Sequence, residues 1–380
     1  MPLFDKILIA ARGEIAVRII RSCRRSGIPT VAFYTAADRD SLFVRLADQA
    51  VAGQGEGAAA WLDRQQILAA AAVSGATAIH PGYGFLAENA AFADDCAGAG
   101  LTLIGPPAAA IRAMAGKDSS RRLAASLDIP TLPGSDEASD DPQELQQRAE
   151  DYGLPVMLKA VSGGGGIGMR LVRTSGELPA AIASATAEAG RAFGDSRLLV
   201  EKAVEQARHI EVQILRDQHG HGIHLFDREC SLQRRRQKLI EEGPAPGLDA
   251  GLRRSLQDAA LRLAAAVDYT GAGTVEFLLD RQGQFWFLEM NTRLQVEHTV
   301  TESITGLDLV AWQLRIAAGQ TLDLRQEDIP CRGHAVQARV CAEDCARDFS
   351  PVTGPVICWR PDQDLRCDSG IDARRQWKYG

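Results

Sequence analysis

Apolar positions in the first hundred residues follow two alternating rhythms. KILIA (6–10) is a short run of strand type. EIAVRIIRSCRRSG follows, with Ile15, Ile19, Ile20 and Cys23 at helical spacing and Gly27 where a helix would stop. TVAFY (30–34) predicts the next strand, 61–73 a helix, and TAIH (77–80) a further strand before the turn-rich PGYG (81–84). Strand–loop–helix–strand order predicts a parallel α/β layer, with a pocket expected at the carboxyl ends of its strands. Between Pro130 and Pro142 the chain turns rich in Pro, Gly, Ser and Asp, which predicts a boundary or hinge. Beyond it PVMLKA, a glycine run, MRLV, a helix around 177–193 and RLLVEKAV predict a compact α+β insert. Past residue 205 the pattern becomes one of hairpins: IEVQILR with IHLFDRE, then TVEFLLD with FWFLE.

Composition narrows the class. The chain has 380 residues, 46% hydrophobic and 24% charged, which is ordinary for a soluble protein with two or three packed domains. A net charge of −7 argues against a nucleic-acid footprint. The tract Arg234-Arg235-Arg236 is therefore local, either a solvated turn or an anion site. Eight scattered cysteines without a CxxC pair and seven scattered histidines suggest neither a zinc module nor a disulfide framework. No signal peptide or membrane-length apolar run is seen, so a cytoplasmic protein with reduced thiols is expected.

Three constellations could carry chemistry. The run Gly163, Gly164, Gly165, Gly166 with Gly168 can turn successive backbone N–H groups toward an anion, although its spacing is not that of a P-loop. Alone it could be a slack surface loop. Strand-like flanks and Lys159 just upstream favour a hairpin flap over polyphosphate. Next, Glu276 and Glu289 fall opposite each other if Gln282-Gly283 is a two-residue turn, or if the loop has four residues. Opposed residues have Cβ atoms about 5 Å apart, and two buried carboxylates there need a proton or cation between them. Hard oxygen donors point to Mg²⁺ or Mn²⁺; the plainer alternative is two exposed hairpin carboxylates. Finally, EMNTRLQVE (289–297) sets Glu289, Asn291, Arg293, Gln295 and Glu297 at alternate positions, so an extended segment would put all five on one face. Arginine beside carboxylate suits a small anion that is held and deprotonated.

IAARGEIAVRIIR, HPGYGFLAEN, KAVSGGGGIGMR, EKAVEQARHIEVQ, QRRRQKLIEEGPAP, EFLLD…FWFLEMNTRLQVEH and GHAVQARVCAED occur in one order, and with them the chain resembles biotin carboxylase. The resemblance implies an ATP-grasp fold, part α/β and part α+β. It would comprise a Rossmann-like N-terminal domain (1–115), an ATP-grasp region (116–204) with a glycine-rich lid at about 132–204, and a C-terminal domain (205–380) incomplete at its end. By the resemblance, Lys117, Lys159 and the flap glycines would meet ATP phosphates. Glu201 and the backbone of Lys202 to Val204 would hold adenine, with His209 and Gln233 near the ribose and Arg236 also at the ATP site. Glu276, Glu289 and Asn291 would bind the metal. Lys238, Arg293, Gln295 and the Val296 backbone would hold bicarbonate, Glu297 would be the base, and Arg339 would stabilise the biotin enolate. The implied reaction is carboxylation of biotin on a separate carrier, serving a carboxyltransferase subunit. A homodimer is the family habit, and the acyl acceptor is left open.

The sequence also departs from the family pattern. Ala11 replaces the usual Asn, Ile167 a flap Arg or Lys, Arg236 a residue commonly His, and Thr299 a Pro. Ile167 is expected mainly to weaken ATP binding. The chain ends some seventy residues before its relatives would, without a biotin attachment site, so a fragment or a truncated natural form is expected. Two alternatives compete with biotin carboxylation: another bicarbonate-using ATP-grasp ligase of carbamoyl-phosphate-synthetase type, and an inactive nucleotide-binding remnant.

Overall fold

The apolar run near the start becomes β1 (Ile7–Ile9), every residue of it buried, and the helical pattern behind it becomes α1 (Gly13–Arg25). The computed structural model describes residues 3–161, 168–354 and 356–371. The rest of the first layer follows as β2 (Thr30–Tyr34), α2 (Leu42–Leu46), β3 (Gln49–Ala52), α3 (Gly57–Leu62), α4 (Arg64–Ser74), β4 (Ala78–His80), α5 (Ala90–Gly98) and β5 (Thr102–Leu103). Its sheet has the order β3-β2-β1-β4-β5 and is parallel throughout. The helix expected near 61–73 is broken in two. Asp63 turns out of helical geometry and accepts hydrogen bonds from the amides of Gln65 and Gln66, so it caps α4.

Then come α6 (Ala108–Ala115), α7 (Lys117–Ser126) and the lid: α8 (Pro142–Tyr152), β6 (Val156–Ala160), β7 (Arg170–Val172), α9 (Leu178–Phe193) and β8 (Leu198–Lys202). Residues 130–139 are not a slack hinge. The carbonyls of Pro130 and Pro133 accept from Phe287 and Lys202 amides, and the Ser135 and Ser139 amides donate to Val200 and Leu198. Gly134 is required there, since a Cβ would lie 2.7 Å from the Val200 oxygen. From α7, Arg121 ties down the carbonyls of Leu132, Gly134 and Ser135.

A third sheet, antiparallel and six-stranded, dominates the remainder: β9 (Arg208–Arg216), β10 (Gly222–Arg234), β11 (Gln237–Gly243), β12 (Gly271–Leu279), β13 (Phe285–Asn291) and β14 (Ala335–Ala338), in the order β13-β12-β9-β10-β11-β14. It carries α10 (Ala250–Ala266), α11 (His298–Thr305) and α12 (Leu309–Ala317). One core joins the parallel sheet to Leu215, Leu225, Leu294 and Leu314, while a second takes in Ala110 and Met114 of α6 with α10, β12 and β13. The lid has its own core of Leu145, Val156, Leu158, Ile182 and Val200.

Asp308, the cap of α12, fastens α1 to this assembly. It accepts from Arg18 at 2.8 Å, Arg25 at 2.5 Å, Ser22 at 2.9 Å and the Ala311 amide at 2.9 Å. Burial opposes ionisation, but these partners, Arg18 foremost, hold its carboxyl below the usual range. Such a depressed carboxyl stabilises the fold above the unfolded value of about 3.9, and that stabilisation fades below it. Asp308→Ala is expected to lower the unfolding free energy by about 2 kcal/mol at neutral pH. In urea titrations the gap to the unsubstituted chain should narrow below pH 4.

Candidate active site

The sheet register builds the site from one row of side chains. Glu289 on β13 pairs with Glu276 on β12, Glu276 with Glu211 on β9, and Glu211 with Arg228 on β10. Directly paired residues share a face, so three carboxylates and a guanidinium run side by side across four strands. The Glu276–Glu289 pairing is the expected one, reached by another route. Leu279 pairs with Phe285, which makes the loop five residues long and offsets the register by one. A bulge at Leu288, between the Phe277–Phe287 and Glu276–Glu289 pairs, restores it. Asp280 organises that loop by accepting the amides of Gln282 and Gln284.

The segment after Glu289 does not stay extended. Strand β13 ends at Asn291, the chain turns, and Glu297 sits at the N-terminus of α11. The polar side chains still converge, while Met290, Thr292 and Leu294 are buried beneath. Glu88, from the loop before α5, accepts from Arg293 Nε at 2.8 Å and the Thr292 amide at 3.0 Å. Arg293 in turn donates to Asn291 Oδ1 at 2.9 Å, and Asn291 and Gln295 both donate to Glu276, at 2.9 and 2.8 Å.

Lys238, from β11, is the hub. Its Nζ lies 2.6 Å from Glu211, 2.7 Å from Glu276 and 2.6 Å from Glu297. Burial alone would discharge it, but three carboxylates hold its pKa well above the ordinary lysine value. Glu297 also accepts from Arg339 at 2.9 Å. Burial would raise the Glu297 pKa, yet Lys238, Arg228 and Arg339 outweigh it and pull it down to about 2. The same contest drives Glu276 well below the usual range, with Lys238 and His209 as its cations; His209 Nε2 stands 3.0 Å away. Glu289 goes the other way, raised by burial and by the Glu276 charge.

Lys238, Glu276 and Glu289 line a cavity of about 690 Å³ between the lid and the antiparallel sheet, whereas Glu211 and Arg228 are fully buried and do not line it. Lys117, Lys159, Glu201, Lys202, Val204, His209, Gln233 and Arg236 line it too, as do Asn291, Arg293, Gln295, Val296, Glu297 and Arg339. Lys159 is ion-paired with Glu201. The Lys202 ammonium is held by the carbonyls of Gly153 and Leu154. Lys117 opens α7, with its pKa lowered by burial and by the Lys159 charge against the pull of Glu289. Gly163, Gly164, Gly165, Gly166 and Ile167 lie outside the described residues.

Sequence reasoning missed Glu211, Arg228 and Glu88. Arg228 is fully buried and satisfied by Glu211 at 2.5 Å, Gln213 at 2.9 Å, Thr301 at 2.6 Å, Thr274 and Gln295. The signal available was HIEVQ, where Glu211 and Gln213 interrupt an apolar strand at alternate positions. A cation fits the donor set. Glu276 and Glu289 are paired directly across the hairpin and both face the cavity, and the raised Glu289 pKa marks repulsion that a divalent ion would relieve.

Comparison with known proteins identifies the lineage. Residues 3–111 match the family described as biotin carboxylase, N-terminal domain, and 116–325 the ATP-binding domain of the carbamoyl-phosphate synthase L chain. A biotin carboxylase of Nostoc sp. is 51% identical over 97% of this chain and 83% of that protein. The chain belongs to the biotin carboxylase family. A solved Campylobacter jejuni biotin carboxylase β,γ-ATP complex superposes with a TM-score of 0.94 at 40% identity, over 98% of this chain and 84% of the other. A Hydrogenobacter thermophilus 2-oxoglutarate carboxylase biotin carboxylase domain dimer, in complex with MgADP and bicarbonate, has a TM-score of 0.93 at 42% identity, over 99% and 84%. The mitochondrial methylcrotonoyl-CoA carboxylase α subunit of Rattus norvegicus is 49% identical over 96% of this chain, which spans about half the length of that protein.

Proposed function

We propose that the chain carboxylates biotin on a separate carrier, using ATP and bicarbonate. The observation that carries this is Lys238 shared among Glu211, Glu276 and Glu297, in a cavity that also presents Lys117 and Lys159. Lys117 and Lys159 would neutralise ATP phosphates, and Glu201 with the backbone of Lys202 to Val204 would seat the adenine. His209 and Gln233, joined at 3.0 Å, would meet the ribose. Glu276 and Glu289, helped by Asn291, would hold Mg²⁺ or Mn²⁺, which when bound offsets polyphosphate charge.

Lys238, Arg293, Gln295 and the Val296 amide would grip bicarbonate, and Glu297 would take its proton. A bicarbonate oxygen then attacks the γ-phosphorus, the bond to the β,γ-bridging oxygen breaks, and carboxyphosphate and ADP form. Carboxyphosphate splits to CO₂ and phosphate. The phosphate removes the biotin N1′ proton, Arg339 stabilises the resulting enolate, and the nitrogen adds to CO₂. Preorganised cations supply most of the transition-state stabilisation. A carrier protein, a carboxyltransferase subunit and a second copy of the chain would be its partners. No described helix is long and apolar enough to cross a membrane. Eight unpaired cysteines suit a reducing cytoplasm.

The test is phosphate release from ATP by the purified chain. It should require bicarbonate and rise on adding free biotin. Bicarbonate-dependent release indifferent to biotin would favour a carbamoyl-phosphate-synthetase-like ligase. ATP binding without bicarbonate-dependent release would favour an inactive remnant.

A further inference from the structure

The three consecutive arginines part company at the tip of the β10–β11 hairpin. Arg234 pairs with Gln237, so Arg235 and Arg236 alone form the turn, with φ of +51° and +66°. Two left-handed residues in succession are a turn that Asn-Gly usually fills, and arginine enters it against steric resistance. The side chains show what holds it. Arg234 pairs with Glu343 and lies 3.9 Å over the Phe349 ring, and Arg235 pairs with Asp348. Asp348 and Phe349 are left-handed as well, at +54° and +57°, so two strained dipeptides are pinned together.

Arg236 goes elsewhere. Its Nη1 donates across the cavity to the Met169 carbonyl of the lid at 3.2 Å. Arg170 donates to the same oxygen at 3.0 Å while paired with Glu188 at 2.9 Å. Two guanidinium groups on one carbonyl repel each other, so the contact depends on the turn holding Arg236 in place.

We infer that Arg236 is a lid-positioning residue. It tethers the lid, through the Met169 backbone, to a turn that Arg234 and Arg235 anchor on residues 343–349. Its effect on nucleotide release rests on the proposed ATP site, whereas its effect on lid position does not. A charged donor lost from such a contact corresponds to about a tenfold change.

In the full chain, Arg236→Ala should speed dissociation of a fluorescent ATP analogue about tenfold, with Arg236→Lys retaining most of the tether. Removing only the anchors, by Glu343→Ala with Asp348→Ala, should speed it about threefold. In the ligand-free chain, electron–electron resonance between unnatural-amino-acid labels at Ala180 on the lid and Asp258 on α10 should show a longer, broader distance in Arg236→Ala. An unchanged distance distribution overturns the inference. So does a silent anchor variant beside a strong Arg236→Ala effect, which would mean that Arg236 touches the nucleotide directly. If the unsubstituted chain binds no ATP analogue, the nucleotide reading fails and the distance measurement alone decides the tether.

Discussion

Lys238→Met is expected to reduce bicarbonate-dependent ATP cleavage by at least about a thousandfold and to lower stability by roughly 3–5 kcal/mol. Two losses combine. The ammonium is the cation common to Glu211, Glu276 and Glu297, so removing it leaves three buried carboxylates, two of them cross-strand neighbours, with less compensation. Proton uptake would relieve the repulsion, so the stability gap between the variant and the unsubstituted chain should be widest at neutral pH and narrow below about pH 4.3. The sign follows from the shifts. Carboxyls held low by Lys238 stabilise the fold above their unfolded value of about 4.3 and lose that stabilisation below it, and without Lys238 that contribution shrinks. Urea titrations at pH 7 and pH 4 check the stability, and phosphate release checks the chemistry. An active Lys238→Met chain, or one whose stability deficit is as large at pH 4 as at pH 7, would refute the hub role.

Glu297→Gln is expected to reduce turnover by about a thousandfold, within the range for loss of a general base, while the Michaelis constant for ATP stays within about twofold. The side chain keeps its shape and its place at the start of α11 but gives up the ability to take a proton, together with the charge that faces Lys238 and Arg339. A carboxylate with its pKa pulled down to about 2 is ionised throughout the working range but is a feeble base while Lys238 and Arg339 grip it. Bicarbonate drawing Lys238 toward itself would loosen that grip. Glu297 should therefore contribute no acid limb to kcat/KM above about pH 4. In Arg339→Gln, with one cation gone, the Glu297 pKa rises and an acid limb should move upward into view. Were Glu297→Gln to retain more than a tenth of the turnover, another group would have to be the base.

Much of the site could be read without coordinates because it is local in the chain. The hairpin holding Glu276 and Glu289 is a near-neighbour contact, and alternation singled out Glu289, Asn291, Arg293, Gln295 and Glu297, although it did so by assuming an extended segment. Even there the details differed. A five-residue loop and a bulge at Leu288 each shift the register by one and cancel, so the pairing was right although the expected turn was wrong. The extended segment after Asn291 is in fact a turn into α11, and its side chains meet because the bend wraps around Glu276 and Lys238.

The fold class and much of the chemical inventory were legible in the chain: a parallel α/β layer, a compact α+β insert, and carboxylates, lysines and arginines on segments expected to pair as hairpins. Those features follow from periodicity and turn chemistry, which act over a few residues. It took the packed layers to show that Glu211 and Arg228 extend the acidic pair into a row, that Glu88 from the first layer holds Arg293, and that the three arginines reach different partners. The register between distant strands and the reach of a buried side chain depend on how whole layers stack, and no short window of sequence contains that.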